Sequence, residues 1–238
     1  MTLPMPLNYL DRVPGLDIHL SCFTGFVRAK VSLREGGIPT IPHHLQLGDR
    51  LSYPQTPFEG LFYAPELFDA SQHGYDVTIQ YGYLFSTADL FTEYVTHMYN
   101  KKVAATEQPE LRFIYKLLLN GLYGYFGRRL FNPTTIIVND TDLANIISRY
   151  SVSFTTELNS KYSIVTYDPS YDREKGSTIP LRPASANVAI ASAITSLARC
   201  TINPFKRDPN NPVFYSDTDS IFVQFPLSDS LVGTGLGQ

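Results

Sequence analysis

The sequence predicts an α+β fold, with an antiparallel sheet, packed helices and a helical hairpin. Three observations carry that expectation. Strand-like runs at Gly25–Leu33, Glu59–Ala64 and Tyr75–Phe85 enclose only one short helical stretch. Two helical patterns follow between residues 86 and 127, joined by a short polar link. Near the end, Val213–Val223 places two apolar runs around the polar centre Ser216-Asp217-Thr218-Asp219-Ser220, which reads as strand, tight turn, strand.

The 238 residues suffice for one large domain or two small ones. Hydrophobic residues make up 43% and charged residues 17%, a globular composition. The net charge of −3 excludes a protein that binds nucleic acid by overall basicity, so any such binding must rest on local charge. Cys22 and Cys200 match no metal or redox spacing and read as free buried thiols of a reducing compartment. The pair His43-His44 reads as packing or surface. No run reaches the ~18 apolar residues of a membrane span, and residues 1–6 carry no targeting pattern. There is no internal repeat.

In chain order, the prolines among the first six residues give no clear element start. Gly25–Leu33 is a strand with Arg28 and Lys30 on one face. Residues 35–56 are a long loop or loose hairpin. Pro65–Gln72 is a short helix stopped near Gly74. Ser86-Thr87-Ala88-Asp89 fits a capping box for a helix ending near Asn100-Lys101-Lys102. A second helix starts about Pro109. It places Arg112, Lys116, Asn120 and either Tyr123 or Gly124 on one face, with apolar faces opposite. Gly121 and Gly124 inside it each cost about 1 kcal/mol against Ala, which marks a place of close approach. Residues 101–130 hold six Lys/Arg against two acids, a focused positive patch. Cations one turn apart suit nucleotide phosphates, and Tyr123 offers a ring for a base or sugar. From Arg128 to Ile179 the chain is polar and irregular, with strand pieces at 134–138, 151–156 and 162–167 and an exposed loop at 168–177. Arg182-Pro183, with Ser185 as a cap, opens a helix through Arg199. It is expected to pack behind the sheet that bears Asp217 and Asp219. A Pro-rich turn from Asn203 to Pro212 follows.

On an extended backbone Asp217 and Asp219 point to one side, and their repulsion calls for a cation such as Mg²⁺. An Asp-rich turn is the plain alternative. Tyr215-Ser216-Asp217-Thr218-Asp219-Ser220 resembles the Tyr-x-Asp-Thr-Asp-Ser metal-holding motif of family B DNA polymerases. Lys116, Asn120, Tyr123 and Gly124 resemble that family's Lys-x-x-x-Asn-Ser-x-Tyr-Gly fingers motif, with Gly121 where the family has Ser. Thr56–Phe62 and Leu90–Tyr94 are similar to the protein-primed subgroup of linear mitochondrial plasmids and some phages.

The resemblance implies an antiparallel palm sheet with a helical-hairpin fingers subdomain. Residues 1–85 would be palm edge plus an insertion that contacts a priming protein, 86–127 the fingers, 128–180 a small β-rich insertion, and 181–238 palm with the catalytic hairpin. It implies template-directed DNA synthesis with two Mg²⁺ ions, dNTP and a DNA template–primer, no membrane, and a mitochondrial setting. Asp217 and Asp219 would be catalytic and hold the metal. Arg112, Lys116, Asn120, Tyr123 and Gly124 would bind nucleotide, with Lys101 or Lys102 a further phosphate contact. The family's Asp-x-x-Ser-Leu-Tyr-Pro motif is expected before Met1 and its thumb beyond Gln238. The chain alone is therefore expected to be poorly soluble and to show no synthesis, unless Asp11 or Asp17 supplies the missing carboxylate. The alternative is an inactive relic that retains at most nucleotide or DNA binding. A reverse transcriptase, whose motif has adjacent aspartates, is disfavoured.

Overall fold

A computed structural model describes residues 3–44, 51–128, 133–169, 171–172, 177–178, 186–217, 220–233 and 235. The elements are β1 (Met5–Pro14), β2 (Gly25–Leu33), β3 (His43–His44), β4 (Leu51–Ser52), β5 (Phe58–Tyr63), α1 (Ala64–Gln72), β6 (Tyr75–Ala88), α2 (Thr92–Ala104) and α3 (Pro109–Phe126). Then come β7 (Thr134–Val138), α4 (Asp140–Arg149), β8 (Ser151–Asn159), β9 (Tyr162–Asp168), β10 (Tyr171–Asp172), β11 (Ser177–Thr178), α5 (Val188–Lys206), β12 (Val213–Asp217) and β13 (Ser220–Val223). Two compact units result, one of residues 1–124 and 188–238, the other of 125–187.

The first unit is organised on a four-stranded antiparallel sheet, order β1-β6-β2-β5. One face buries Val27, Ala29 and Val31 of β2 against Ala64, Leu67 and Ala70 of α1, with Tyr75 fully buried beside them. The Tyr75 hydroxyl accepts from the backbone N–H of Thr40 at 3.0 Å, so the buried ring ends in a satisfied polar tip. Gly25 stands at φ 146°, where a Cβ would fall 2.0 Å from the Tyr83 carbonyl oxygen, so no other residue fits that crossing.

The helix α5 packs against α1 and the outer end of this sheet through Ala193 and Leu197. Its polar side is fixed by ion pairs. Arg199 donates through Nε and Nη2 to the Glu66 carboxylate, and Arg207 donates through both terminal nitrogens to Asp69 at 3.0 Å. Glu66 is 3% exposed, so this pairing compensates a buried charge.

In the second unit α4 covers a three-stranded sheet, order β7-β9-β8, around Val138, Ile146 and Val165. The Asn139 side chain caps α4 by accepting from the Asp142 N–H at 2.9 Å. Arg149, at the end of α4, donates to the buried Asp172 carboxylate at 2.6 and 2.8 Å.

Several expectations need correction. The first residues form β1, an edge strand, where prolines are tolerated because the sheet does not need every N–H. The polar stretch after β7 contains α4, and the loop at 168–177 includes the buried Asp172. Ser86 does not cap α2, because β6 runs through it to Ala88. Asp89 serves the helix start instead, accepting from the Thr92 N–H at 3.1 Å and the Thr92 hydroxyl at 2.7 Å. Those contacts hold the Asp89 carboxyl below the usual carboxylate range. The last helix does not stop at Arg199; it runs through Pro204 to Lys206. It packs on β1 and β5, whereas β12 and β13 form a two-stranded sheet of their own. Residues 182–185 lie outside the described residues. Cys22 is exposed, not buried. No helix among the described residues is long and apolar enough to cross a membrane.

Candidate functional site

The helix α3 follows α2 after a short turn, and the two run antiparallel. The Tyr94 hydroxyl of α2 donates to the Leu118 carbonyl of α3 at 3.3 Å. Lys102 near the end of α2 thereby faces the first turns of α3. A cleft of about 410 Å³ opens there, lined by Lys102, Thr106, Pro109, Arg112, Phe113 and Lys116. Three cations border it and, among the described residues, no carboxylate does. Such a concentration attracts a multiply charged anion, for which Lys acts as a point charge and Arg as a fork.

Sequence reasoning named Arg112 and Lys116 and left Lys101 and Lys102 unresolved. Lys102 is the one that lines the cleft. Spacing could not choose between them because the choice depends on the geometry of the turn. Thr106 and Phe113 were missed; as ordinary helix-end and apolar positions, they carry no signal of their own.

Asn120, Tyr123 and Gly124 lie further along α3, outside that cleft. Seven residues separate Lys116 from Tyr123, which is ~10 Å along the axis. All five predicted nucleotide-binding residues of α3 are exposed. At Gly121 and Gly124 a Cβ would meet nothing within 4 Å. No neighbouring part of the described chain therefore requires these glycines. The open ground beside them is where an external group could pass close to the helix.

The hairpin is built by local pairing. Register runs Tyr215↔Phe222, Ser216↔Ile221 and Asp217↔Ser220. Asn211 clamps its base, donating to the Phe225 carbonyl at 2.9 Å and accepting from the Phe225 N–H at 2.8 Å. At the other end the Ser220 hydroxyl donates to the Asp217 carbonyl at 3.0 Å. Asp217 closes β12 with an exposed side chain. Thr218 and Asp219 lie outside the described residues. An exposed carboxylate at the end of a clamped hairpin fits a hard cation by its oxygen donors. Among the described residues no group of three His, Cys, Asp or Glu forms a metal-binding cluster.

The family model for DNA polymerase type B, organellar and viral, matches residues 1–212. A probable DNA polymerase of Podospora anserina is 30% identical over 257 residues, covering 97% of this chain and 21% of the relative. One of Neurospora intermedia is 29% identical over 191 residues, covering 79% and 19%. The chain spans about a fifth of the length of these curated relatives. The solved Phi29 DNA polymerase complexed with primer-template DNA superposes with a TM-score of 0.64 at 18% identity, over 96% of this chain and 36% of that one. This likeness shows that the fold is shared.

Proposed function

The chain belongs to the organellar and viral type B DNA polymerases, and from that premise we propose that it carries the nucleotide-handling and metal-holding parts of template-directed DNA synthesis. The observation that carries this is the cleft on the helix pair that Lys102, Arg112 and Lys116 border, with no carboxylate among the described residues that line it. There the three side chains hold the triphosphate of an incoming dNTP. Asn120, Tyr123 and Gly124, further along the same face, meet its sugar and base.

Asp217 and Asp219 would hold Mg²⁺ at the hairpin. When bound there, the metal supplies neutralisation of phosphate charge and a lowered pKa for an attacking hydroxyl. The protein's own part is to orient: the clamp at Asn211 fixes the hairpin, and the α2–α3 contact fixes the cations. In this reading residues 1–85 are palm edge with a priming-protein contact, and 86–127 the fingers. Residues 128–180 are a small β-rich insertion, and 181–238 are palm with the catalytic hairpin. The partners are a DNA template–primer, dNTP and a terminal priming protein, in a mitochondrial setting.

Two variants test it. Lys116→Ala should weaken binding of a fluorescent dNTP by roughly 10–100-fold, the value of a charge-assisted contact, with duplex binding unchanged. Unaltered dNTP affinity together with weaker duplex binding would refute the assignment. Asp219→Asn, in a polymerase carrying this chain, should abolish primer extension in Mg²⁺ while leaving DNA binding intact. Near-normal extension would remove the hairpin from the metal site.

A further inference from the structure

The four-stranded sheet has a second face. Directly opposed residues in an antiparallel pair share a face, so the register places Phe26, Arg28 and Lys30 of β2 beside Tyr83, Tyr81 and Thr78 of β6, away from the core. Strand β1 adds Arg12, opposite Tyr83, and Tyr9, opposite Phe85. The first turns of α5 cover only the end of this face near Phe26 and Phe85. Beside them lies an open cleft of about 540 Å³, within the ordinary size range of ligand sites. Tyr9, Tyr83, Phe26, Phe85 and Leu61 line it, and among the described residues no charged one does. Tyr9 stays 55% exposed, with its ring edge-on to Tyr83 at 6.1 Å and to Phe85 at 6.0 Å.

Cations border the aromatic strip. The Arg12 guanidinium sits 4.1 Å from the centre of the Tyr81 ring. Lys30 is exposed. Arg28 is paired with Glu59 at 3.4 Å, and Asp76, the other acid on this face among the described residues, is paired with Arg34 at 2.8 Å. Aromatic rings on a pleated surface, exposed at Tyr9 and half-buried at Tyr81 and Tyr83, with bordering cations, suit unpaired bases and their phosphates. A double helix keeps its bases stacked and cannot offer them to such a cleft.

We propose that this outer sheet face is a binding platform for single-stranded DNA, with Tyr9 and Tyr83 stacking bases and Arg12, Arg28 and Lys30 contacting phosphates. The site is separate from the α2–α3 cleft and uses none of its residues. It gives a polymerase chain a hold on an unpaired strand that does not depend on nucleotide or metal.

The test is fluorescence anisotropy of the 238-residue chain with a short oligothymidylate in EDTA, together with photocross-linking of an oligonucleotide that carries 5-iododeoxyuridine. Three phosphate contacts predict a log–log salt slope of about −2. Tyr9→Ala should weaken single-strand binding about tenfold. Arg12→Glu with Lys30→Glu should weaken it and flatten the slope by roughly 1.4, whereas Lys116→Ala should leave it unchanged. These are exposed positions, and Arg12→Lys, which keeps charge and fold, should retain the slope. Cross-links should map to Tyr9 or Tyr83. Cross-links confined to α3, or duplex DNA competing as well as single strand, would overturn the proposal. So would unchanged affinity in both the Tyr9 and the charge-reversal variants. Loss of dNTP binding in Lys116→Ala bears on the α3 cleft alone, so the two readings can fail separately.

Discussion

The sheet with α1 and α5, and the α2–α3 pair with the β12–β13 hairpin, are built to opposite rules. In the first part Val27, Ala29, Val31, Ala64, Leu67 and Tyr75 are all fully buried. In the second, neither helix and neither strand contributes one buried residue. Phe113 is 60% exposed and Phe214 73%. The described residues of the fingers and hairpin motifs lie in the second part and none of them is buried, whereas Phe62, in the remaining stretch of family similarity, belongs to the core of the first. Stability and the proposed chemistry thus rest largely on different residues, so a substitution should be able to remove one while sparing the other.

The largest effect expected from breaking this division is at Glu66. Glu66→Ala leaves the Arg199 guanidinium, already largely desolvated by α5 and α1, without its carboxylate. The expected cost is about 3–5 kcal/mol, read as a lowered urea midpoint by tyrosine fluorescence. Glu66→Leu combined with Arg199→Met should recover most of it, since the paired loss leaves no orphaned charge. A single-variant cost below about 1 kcal/mol would show that the pair does not join α5 to the body.

A matched pair of truncations sharpens the contrast. Leu67→Ala in the core should cost about 2–5 kcal/mol. Phe113→Ala, removing a larger side chain from α3, should stay within about 0.5 kcal/mol. If Phe113→Ala proved as costly as Leu67→Ala, α3 would be packed in solution in a way its exposure does not show.

The same division explains what the sequence revealed. The motif strings could be read by residue identity because chemistry restricts their residue types. The frame could be read only where periodicity was clean, as in β2, β5 and β6. The strand β1 was hidden by Pro4, Pro6 and Pro14, which are compatible with an edge strand but break any propensity reading. The helix α4 was hidden because Asn139-Asp140-Thr141-Asp142 looks like a polar loop, although it is an N-cap followed by an acidic first turn. Pro204 suggested a helix end, yet near a C-terminus the N–H it removes costs only one bond of the last turns. The convergence of Lys102 with Arg112 and Lys116 required the turn geometry, which no local pattern encodes.

The smallest expected effect separates the two rules within one helix. Gly121 and Gly124 stand in open space, and neither has a positive φ. An added methyl clashes with nothing in the described chain. Gly121→Ala and Gly124→Ala should therefore each stabilise α3 by about 0.5–1 kcal/mol, by narrowing the unfolded chain's freedom. If this face receives a nucleotide, the same methyls occupy the space its sugar or base needs, and dNTP affinity should fall as stability rises. Thermal unfolding and fluorescent dNTP titration on the same two variants read both effects. Gains in stability with undiminished dNTP affinity would move the nucleotide away from Gly121 and Gly124, toward the cation cleft at the start of the helix. A loss of stability would show that these glycines answer to packing after all.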